Sequence, residues 1–257
     1  MNRISPKAKI GRDVQVGDFT IVHDNVRIGD GTVVESHCVL GAPTALAEGE
    51  PLVIGEASHI RSHSVFYEGS SFGAGLSTGN GVIVREKCRA GKCLQIGSHT
   101  DIEGDCTIGH YTKMHSEVHV TKNTRLGSFI YLFPRVQMTS DPYPPSTMCD
   151  GITIGDMAVV CTGALLLPAV KIGLGSFVAA ASVVKSEVPE LVCVSGNPAR
   201  VLCRLDQFIS AKYGKYHPWV ERFKDKYPPE SRALMRKCVA AIDARLSAAA
   251  RRERRRP

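Results

Sequence analysis

Aromatic side chains are scarce in this 257-residue chain: they make up 6% of it, with a single tryptophan. Apolar residues still reach 43%, so a buried core must be built from small and branched aliphatic side chains. No apolar run has the roughly 20 residues that cross a bilayer, so no membrane span is expected. No signal peptide is expected either, because a structural repeat already starts at Ile4. The nine cysteines form no CxxC pair, which argues against a zinc–thiolate site. They read as reduced packing residues of a cytoplasmic protein. Net charge is also missing from most of the chain. Residues 232–257 hold nine Lys/Arg and two acids, which accounts for the whole +7. The basic balance therefore describes a tail, and no specific nucleic-acid partner is implied.

What is present is a period of six. Val84, Ala90, Ile96, Ile102, Ile108, Met114, Val120, Leu126, Leu132 and Met138 are all apolar. A helix repeats at 3.6 and a lone strand at 2, so neither gives a strict six. A hexapeptide repeat is the signature of a parallel β-helix, in which one residue per hexad points inward and stacks on its equivalents. The frame begins at Ile4 and runs through Ile10, Val16, Val22, Ile28, Val34 and Leu40. Residues 41–53 break it, and it resumes at Ile54 with its phase moved by two. Residues 139–153 break it again with Pro142, Pro144 and Pro145, which make a stiff projecting loop. It returns at Ile154 and ends at Val188-Pro189. About nine coils follow from three hexads per triangular turn. Thr78 is the one polar residue in the frame between Ile54 and Met138.

The expected fold is mainly β: a β-helix domain over 1–200 with a small α-helical extension and basic tail over 201–257. Ser195–Arg200, SGNPAR, reads as a turn. Helices are expected over 202–213, 218–227 and 229–250, the first two capping the open end of the solenoid. Leu234, Cys238, Ile242 and Leu246 would form one face of the third.

The terminal hexads, the SGNPAR turn and the TSDPYPP loop together resemble the hexapeptide-repeat (left-handed β-helix) acyltransferase family. The closest branch in pattern is the one that N-acylates nucleotide-linked amino sugars. The resemblance covers about residues 1–205. It implies acetyl-CoA or another acyl-CoA as cosubstrate, a nucleotide-sugar acceptor, no required metal, and a homotrimer with active sites between subunits. It also puts the pantetheine arm against Gly163, Ala180 and Ala181, with Lys185 and Arg200 meeting the phosphates.

Amide formation from a thioester needs a neutral amine and a group to take its proton. His110, His115 and His119, with Glu117 among them, form the densest histidine cluster. His115 is the first choice for base or acceptor-orienting residue, with His119 and Glu117 behind it. Asp141, at the start of the proline-rich loop, resembles the aspartate such loops place near the acceptor amine; its plain reading is an Asx turn. A substrate-assisted route would need no side-chain base. O-acylation of a sugar hydroxyl is an alternative. Another is a gamma-class carbonic anhydrase, since His110 and His115 have the spacing of two of its zinc ligands. A third ligand is wanting there, because no histidine stands between His63 and His99.

Overall fold

The computed structural model describes residues 2–210, 214–215 and 219–253. Strands of mostly two residues stack into three sheets of ten, nine and eleven strands, parallel except for the last strand of the third, one sheet per face of a triangular prism. Every third strand shares a face, so an uninterrupted coil takes 18 residues: Val84 pairs with Ile102, and Ile102 with Val120. The first face carries Asp101–Ile102 and His119–Val120. The second carries Thr107–Ile108, and the third Lys113–Met114 and Tyr131–Leu132.

The inward row is dry. Val84, Ile102, Leu132 and their equivalents are at most 4% exposed, and only Ala90 in that stretch is half-buried. Thr78 is buried too, and its Oγ1 accepts a hydrogen bond from the Arg61 backbone N–H, which satisfies the hydroxyl. Ile4 and Ile10 hold the same inward position in the first coil but are exposed by 42% and 39%, because no coil covers them. Cys38, Cys88 and Cys106 are buried free thiols, as packing residues should be.

Chain direction changes at the corners through left-handed backbone. Tyr111, Phe129 and Met157 have φ near 60° at one corner, and Glu117, Arg135, Gly163 and Ala181 at another. For a non-glycine residue this costs about 1–2 kcal/mol. The cost is offset by backbone hydrogen bonds between coils, such as Gly163 N–H to Pro134 O and Ala181 N–H to Thr162 O.

The frame breaks are loops, the first shorter than the expected 41–53, because Val39–Ala42 and Leu52–Ile54 are strands. The first contains a 3-10 turn, Ala45–Ala47, capped by Thr44. The second leaves after Gln137–Met138 and returns at Thr153–Ile154.

The C-terminal region departs from expectation in two ways. The solenoid does not stop at Val188-Pro189. Val188 bridges to Ile172, and Val192–Gly196 pairs in parallel with Phe177–Val178, completing a tenth coil. The proline is accommodated at the corner, so the strand can resume after it. The second departure is at 202–208, expected to start a helix. Ala199–Arg204 is instead an antiparallel strand folded back on Val192–Gly196, with the SGNPAR turn between them, followed by a 3-10 turn at Leu205–Gln207. Most of the remaining expected first helix, 211–213 included, lies outside the described residues. The other helices exist as α1 (Val220–Phe223), running into a 3-10 turn at Lys224–Lys226, and α2 (Ser231–Glu253).

These helices do not cap the end of the prism. They lie along its flank. Trp219, Val220, Tyr227, Met235, Cys238, Ile242 and Leu246 form a second core with Tyr111, Phe129, Met157, Val159 and Leu191. The reason is the row of corner residues: stacked left-handed turns present their side chains outward, and here those side chains are large and apolar. The segment from Trp219 through α2 thus forms a strap along the flank, and the Trp219 indole N–H, donating to Met157 O at 2.9 Å, fixes it there.

Candidate functional site

The 18-residue coil sets which side chains meet. Residues 18 apart occupy the same place on successive coils, about 4.8 Å apart. On the first face this brings Asp101 beside His119. The Asp101 carboxylate accepts a hydrogen bond from His119 Nδ1 at 2.8 Å. His119 Nε2 stands 3.9 Å from Glu103 Oε1, beyond hydrogen-bonding distance, so it keeps its lone pair for another partner. Glu103 is itself held by the Thr121 hydroxyl and the Lys122 N–H. The hydrogen bond to Asp101 raises the His119 pKa, and burial partly opposes it. Only 27% of the His119 side chain is exposed. Beside this pair lies an open hollow of about 360 Å³, lined by Ile83, Arg85, His99, Asp101 and Glu103 among others. An imidazole oriented by a carboxylate next to a recess is the arrangement of a general base and its positioning group.

His115 sits elsewhere. It ends the strand pair on the third face, and its Nε2 lies 3.1 Å from the Tyr131 hydroxyl while its ring stacks on Phe133. Burial, helped by the Lys113 charge, lowers its pKa and favours the neutral imidazole. Glu117 turns the next corner and is engaged by Arg135 at 2.8 Å, which lowers its pKa. Asp141 is used up inside its loop. Its oxygens accept from the Tyr143 N–H, the Ser146 N–H and the Ser146 hydroxyl. That is the Asx-turn geometry. His115 and Asp141 thus lie on different faces of one chain: the loop leaves from the end of the first face, after Met138.

The residues expected along a coenzyme arm fall in two places. Gly163 and Ala181 are stacked at the corner between the third and first faces, both exposed, with Ala180 exposed beside Ala181. Nothing stands within 4 Å of a side chain added at Gly163, so its backbone is open to a ligand. Lys185 is exposed just past Val183–Val184 on the first face, and Arg200 is exposed on the returning strand of the terminal hairpin. Gly163, Ala181 and Lys185 therefore border the same face as His119.

His110 and His115 flank one strand of the third face. His110 Nδ1 accepts from the Lys92 N–H at 3.0 Å. Among the described residues, no three His, Cys, Asp or Glu side chains cluster as a metal site would need. No helix among them is long and apolar enough to cross a membrane.

Comparison with known proteins agrees with the repeat. Residues 7–42 match the family model described as bacterial transferase hexapeptide (six repeats). The bifunctional protein GlmU of Mycolicibacterium smegmatis is 28% identical over 191 residues, 73% of this chain and 37% of that protein. A 2,3,4,5-tetrahydropyridine-2,6-dicarboxylate N-acetyltransferase of Clostridium perfringens is 45% identical over 65 residues, covering 25% of this chain and 26% of the relative. The chain thus spans little more than a third of the length of the curated GlmU relatives it matches. Among solved structures, the UDP-N-acetylglucosamine acyltransferase of Arabidopsis superposes with a TM-score of 0.67 at 16% identity, over 79% of this chain and 72% of that one. The enzyme of that name from Bacteroides fragilis gives 0.54 at 14%, over the same shares. At such identities the likeness is one of fold. The period of six, the family match over residues 7–42 and the shared solenoid make this chain a hexapeptide-repeat β-helix, similar over part of its sequence to an N-acetyltransferase and in fold to acyltransferases.

Proposed function

We propose that this protein transfers an acetyl or short acyl group from coenzyme A to the amino group of a nucleotide-linked amino sugar. One observation carries the reading: the His119 imidazole is oriented by Asp101 beside an open hollow on the face that Gly163, Ala181 and Lys185 border. His119 Nε2 takes a proton from the acceptor nitrogen as that nitrogen attacks the thioester carbonyl. A C–N bond forms, the C–S bond breaks, and the proton passes on to the departing thiolate, which leaves as the thiol. Asp101 holds the imidazole in the required tautomer and stabilises the imidazolium. Lys185 and Arg200 bind the coenzyme phosphates, and the arm lies over Gly163, Ala180 and Ala181.

The nucleotide-sugar part of the acceptor rests on the name of the structural neighbours, the UDP-N-acetylglucosamine acyltransferases, and transfer to nitrogen on that of a relative, the tetrahydropyridine-dicarboxylate N-acetyltransferase. A flat prism face gives only a shallow recess, so the working unit in this reading is a homotrimer whose neighbouring prisms close the groove. The 139–153 loop, its turn held by Asp141, then reaches the groove from a neighbouring prism, with Glu117 at its rim. A second reading keeps His115 as the base, on the ground that its imidazole is held neutral.

The test is a thermal-shift survey with coenzyme A and a panel of amino nucleotide sugars, paired with sedimentation. A ligand that binds only the folded state raises the melting temperature by mass action. The reading expects a shift with coenzyme A, a further shift with one amino sugar, and a trimer. No shift with any of them, or a monomer with full activity, contradicts it.

A further inference from the structure

The two acids around His119 do different work. Asp101 accepts from Nδ1, so a neutral imidazole carries its hydrogen there and its lone pair on Nε2. Glu103 stands at the other nitrogen, with Oε1 3.9 Å from Nε2. Its second oxygen, Oε2, is committed: the Thr121 hydroxyl donates to it at 2.9 Å and the Lys122 N–H at 3.0 Å. Those two donors fix the carboxylate, and among the described residues no hydrogen bond reaches Oε1. No lysine or arginine among them pairs with Glu103 either. Arg85 holds the same place on the preceding coil, but its guanidinium turns to the buried Glu86 at 3.2 Å. Lys122 pairs with Asp105 at 3.1 Å. The Glu103 side chain is half-buried and lines the hollow beside the Asp101–His119 pair.

Nε2 and Oε1 are thus two acceptors with no donor between them. A nitrogen placed ~2.8 Å from each would see them about 90° apart, near enough to the spread of two N–H bonds. A neutral primary amine has two N–H bonds and one lone pair. Giving one hydrogen to each acceptor leaves the lone pair free to attack a thioester carbonyl. A hydroxyl has one hydrogen. Bonded to Nε2, it turns its oxygen lone pairs toward the Glu103 carboxylate, which repels them.

We propose that Glu103 selects a primary amine over a hydroxyl as the acceptor, an inference that rests on the reading of His119 as the base. The amine arrives as an ammonium, whose charge Glu103 meets, and its extra proton leaves through His119 to solvent. The neutral nitrogen then attacks the thioester carbonyl. The C–N bond forms, the C–S bond breaks, and Nε2 takes one N–H proton, which goes on to the departing thiolate. The hydrogen held by Glu103 stays on nitrogen and becomes the N–H of the amide. Glu103 itself neither gains nor loses a proton.

The experiment is calorimetric titration of the full chain, with coenzyme A present, against paired nucleotide sugars. Each pair is an amino hexose linked to UDP or dTDP and its twin with a hydroxyl at the same carbon. Glu103→Gln is isosteric. The Thr121 hydroxyl and the Lys122 N–H need an oxygen acceptor, so the new side chain turns its NH2 toward His119. The substitution should raise the Kd of the amino sugar about tenfold or more, as loss of a hydrogen bond to a charged group implies. The Kd of the hydroxyl twin should stay within about twofold. A merely structural role would move both members alike, and that result overturns the proposal. So does an unchanged Kd for the amino sugar. Turnover of the same amino sugar separates the two readings. No binding or transfer by the parent, or full transfer by His119→Ala, removes the base and this assignment with it. Transfer that depends on His119, with Kd values indifferent to Glu103, removes this assignment alone.

Discussion

Replacing Ile102 by alanine should cost far more than the same change at Ile10, although both hold the inward place of a hexad. Ile102 is fully buried between Val84 and Val120, while Ile10 is 39% exposed in the first coil. The substitution deletes three carbons, worth about 2.4 kcal/mol at ~0.8 kcal/mol each. Inside the stack the coils above and below are tied by backbone hydrogen bonds and cannot collapse into the gap. A residual void of about 60 Å³ adds about 1.5 kcal/mol at ~24 cal/mol per Å³. The sum for Ile102 is about 4 kcal/mol. At Ile10 the transfer contribution falls with burial to about 1.5 kcal/mol, and no closed void forms. Urea denaturation followed by circular dichroism at 218 nm (roughly the β-sheet minimum) reads both, provided the slopes agree with that of the parent. Equal midpoint shifts for the two variants would refute the stacking argument. So would a loss at Ile102 below about 1 kcal/mol.

Trp219→Ala should release the strap, since the indole is 4% exposed and bonded to Met157 O; limited proteolysis between residues 204 and 231 should quicken while the solenoid stays intact. Unchanged protease resistance would count against the strap's anchoring. Cys161 and Cys238 have pKa values pushed up to about 11 by burial, so only about one thiol in a thousand is ionised at pH 8. Alkylation of both should therefore be slow in the native protein and fast in urea, as mass spectrometry of peptides would read. The pH dependence of turnover follows from His119. Its folded pKa is raised by Asp101, and a general base must be neutral, so the rate should climb with pH through a value above that of an ordinary histidine. Asp101→Asn should move that limb to lower pH, and an unmoved limb would exclude His119 as the titrating base. The same raised pKa stabilises the fold below the unfolded histidine value, and that contribution disappears as pH rises through the folded one.

The fold was legible because a hexad repeat is local and redundant. Each of the inward positions states the same frame, and one misfit such as Thr78 cannot hide it. The last coil escaped because its spacing is irregular: Val184 to Val188 is four residues, and only Val188 to Val194 restores six. Residues 199–200 read as part of a turn and 202–204 as the start of a helix, since a returning strand is defined by its partner, Val192–Gly196, and not by its own pattern. The candidate site was partly readable. Asp101 and His119 are 18 apart, as are Glu117 and Arg135, and coil arithmetic pairs them without coordinates. Reading the histidines only as a cluster along the chain favoured His115, whose nearest partners are Tyr131 and Phe133. Asp141 looked available in sequence, but its oxygens close its own loop through Ser146. The strap was illegible, because Trp219 meets Met157 across 62 residues and no periodicity connects them.

The most direct test of the account is steady-state acyl transfer, read as thiol released from acetyl-CoA in the presence of an amino nucleotide sugar. The parent protein should release thiol only when a sugar amine is present, and the product should carry the acetyl group on nitrogen. His119→Ala should lower kcat by about a hundredfold or more, the usual worth of a general base. Lys185→Ala should instead raise the KM for the coenzyme with little change in kcat, because it binds ground and transition states alike. Full turnover in the His119→Ala variant would contradict the account, as would the absence of acyl transfer to every amino nucleotide sugar offered.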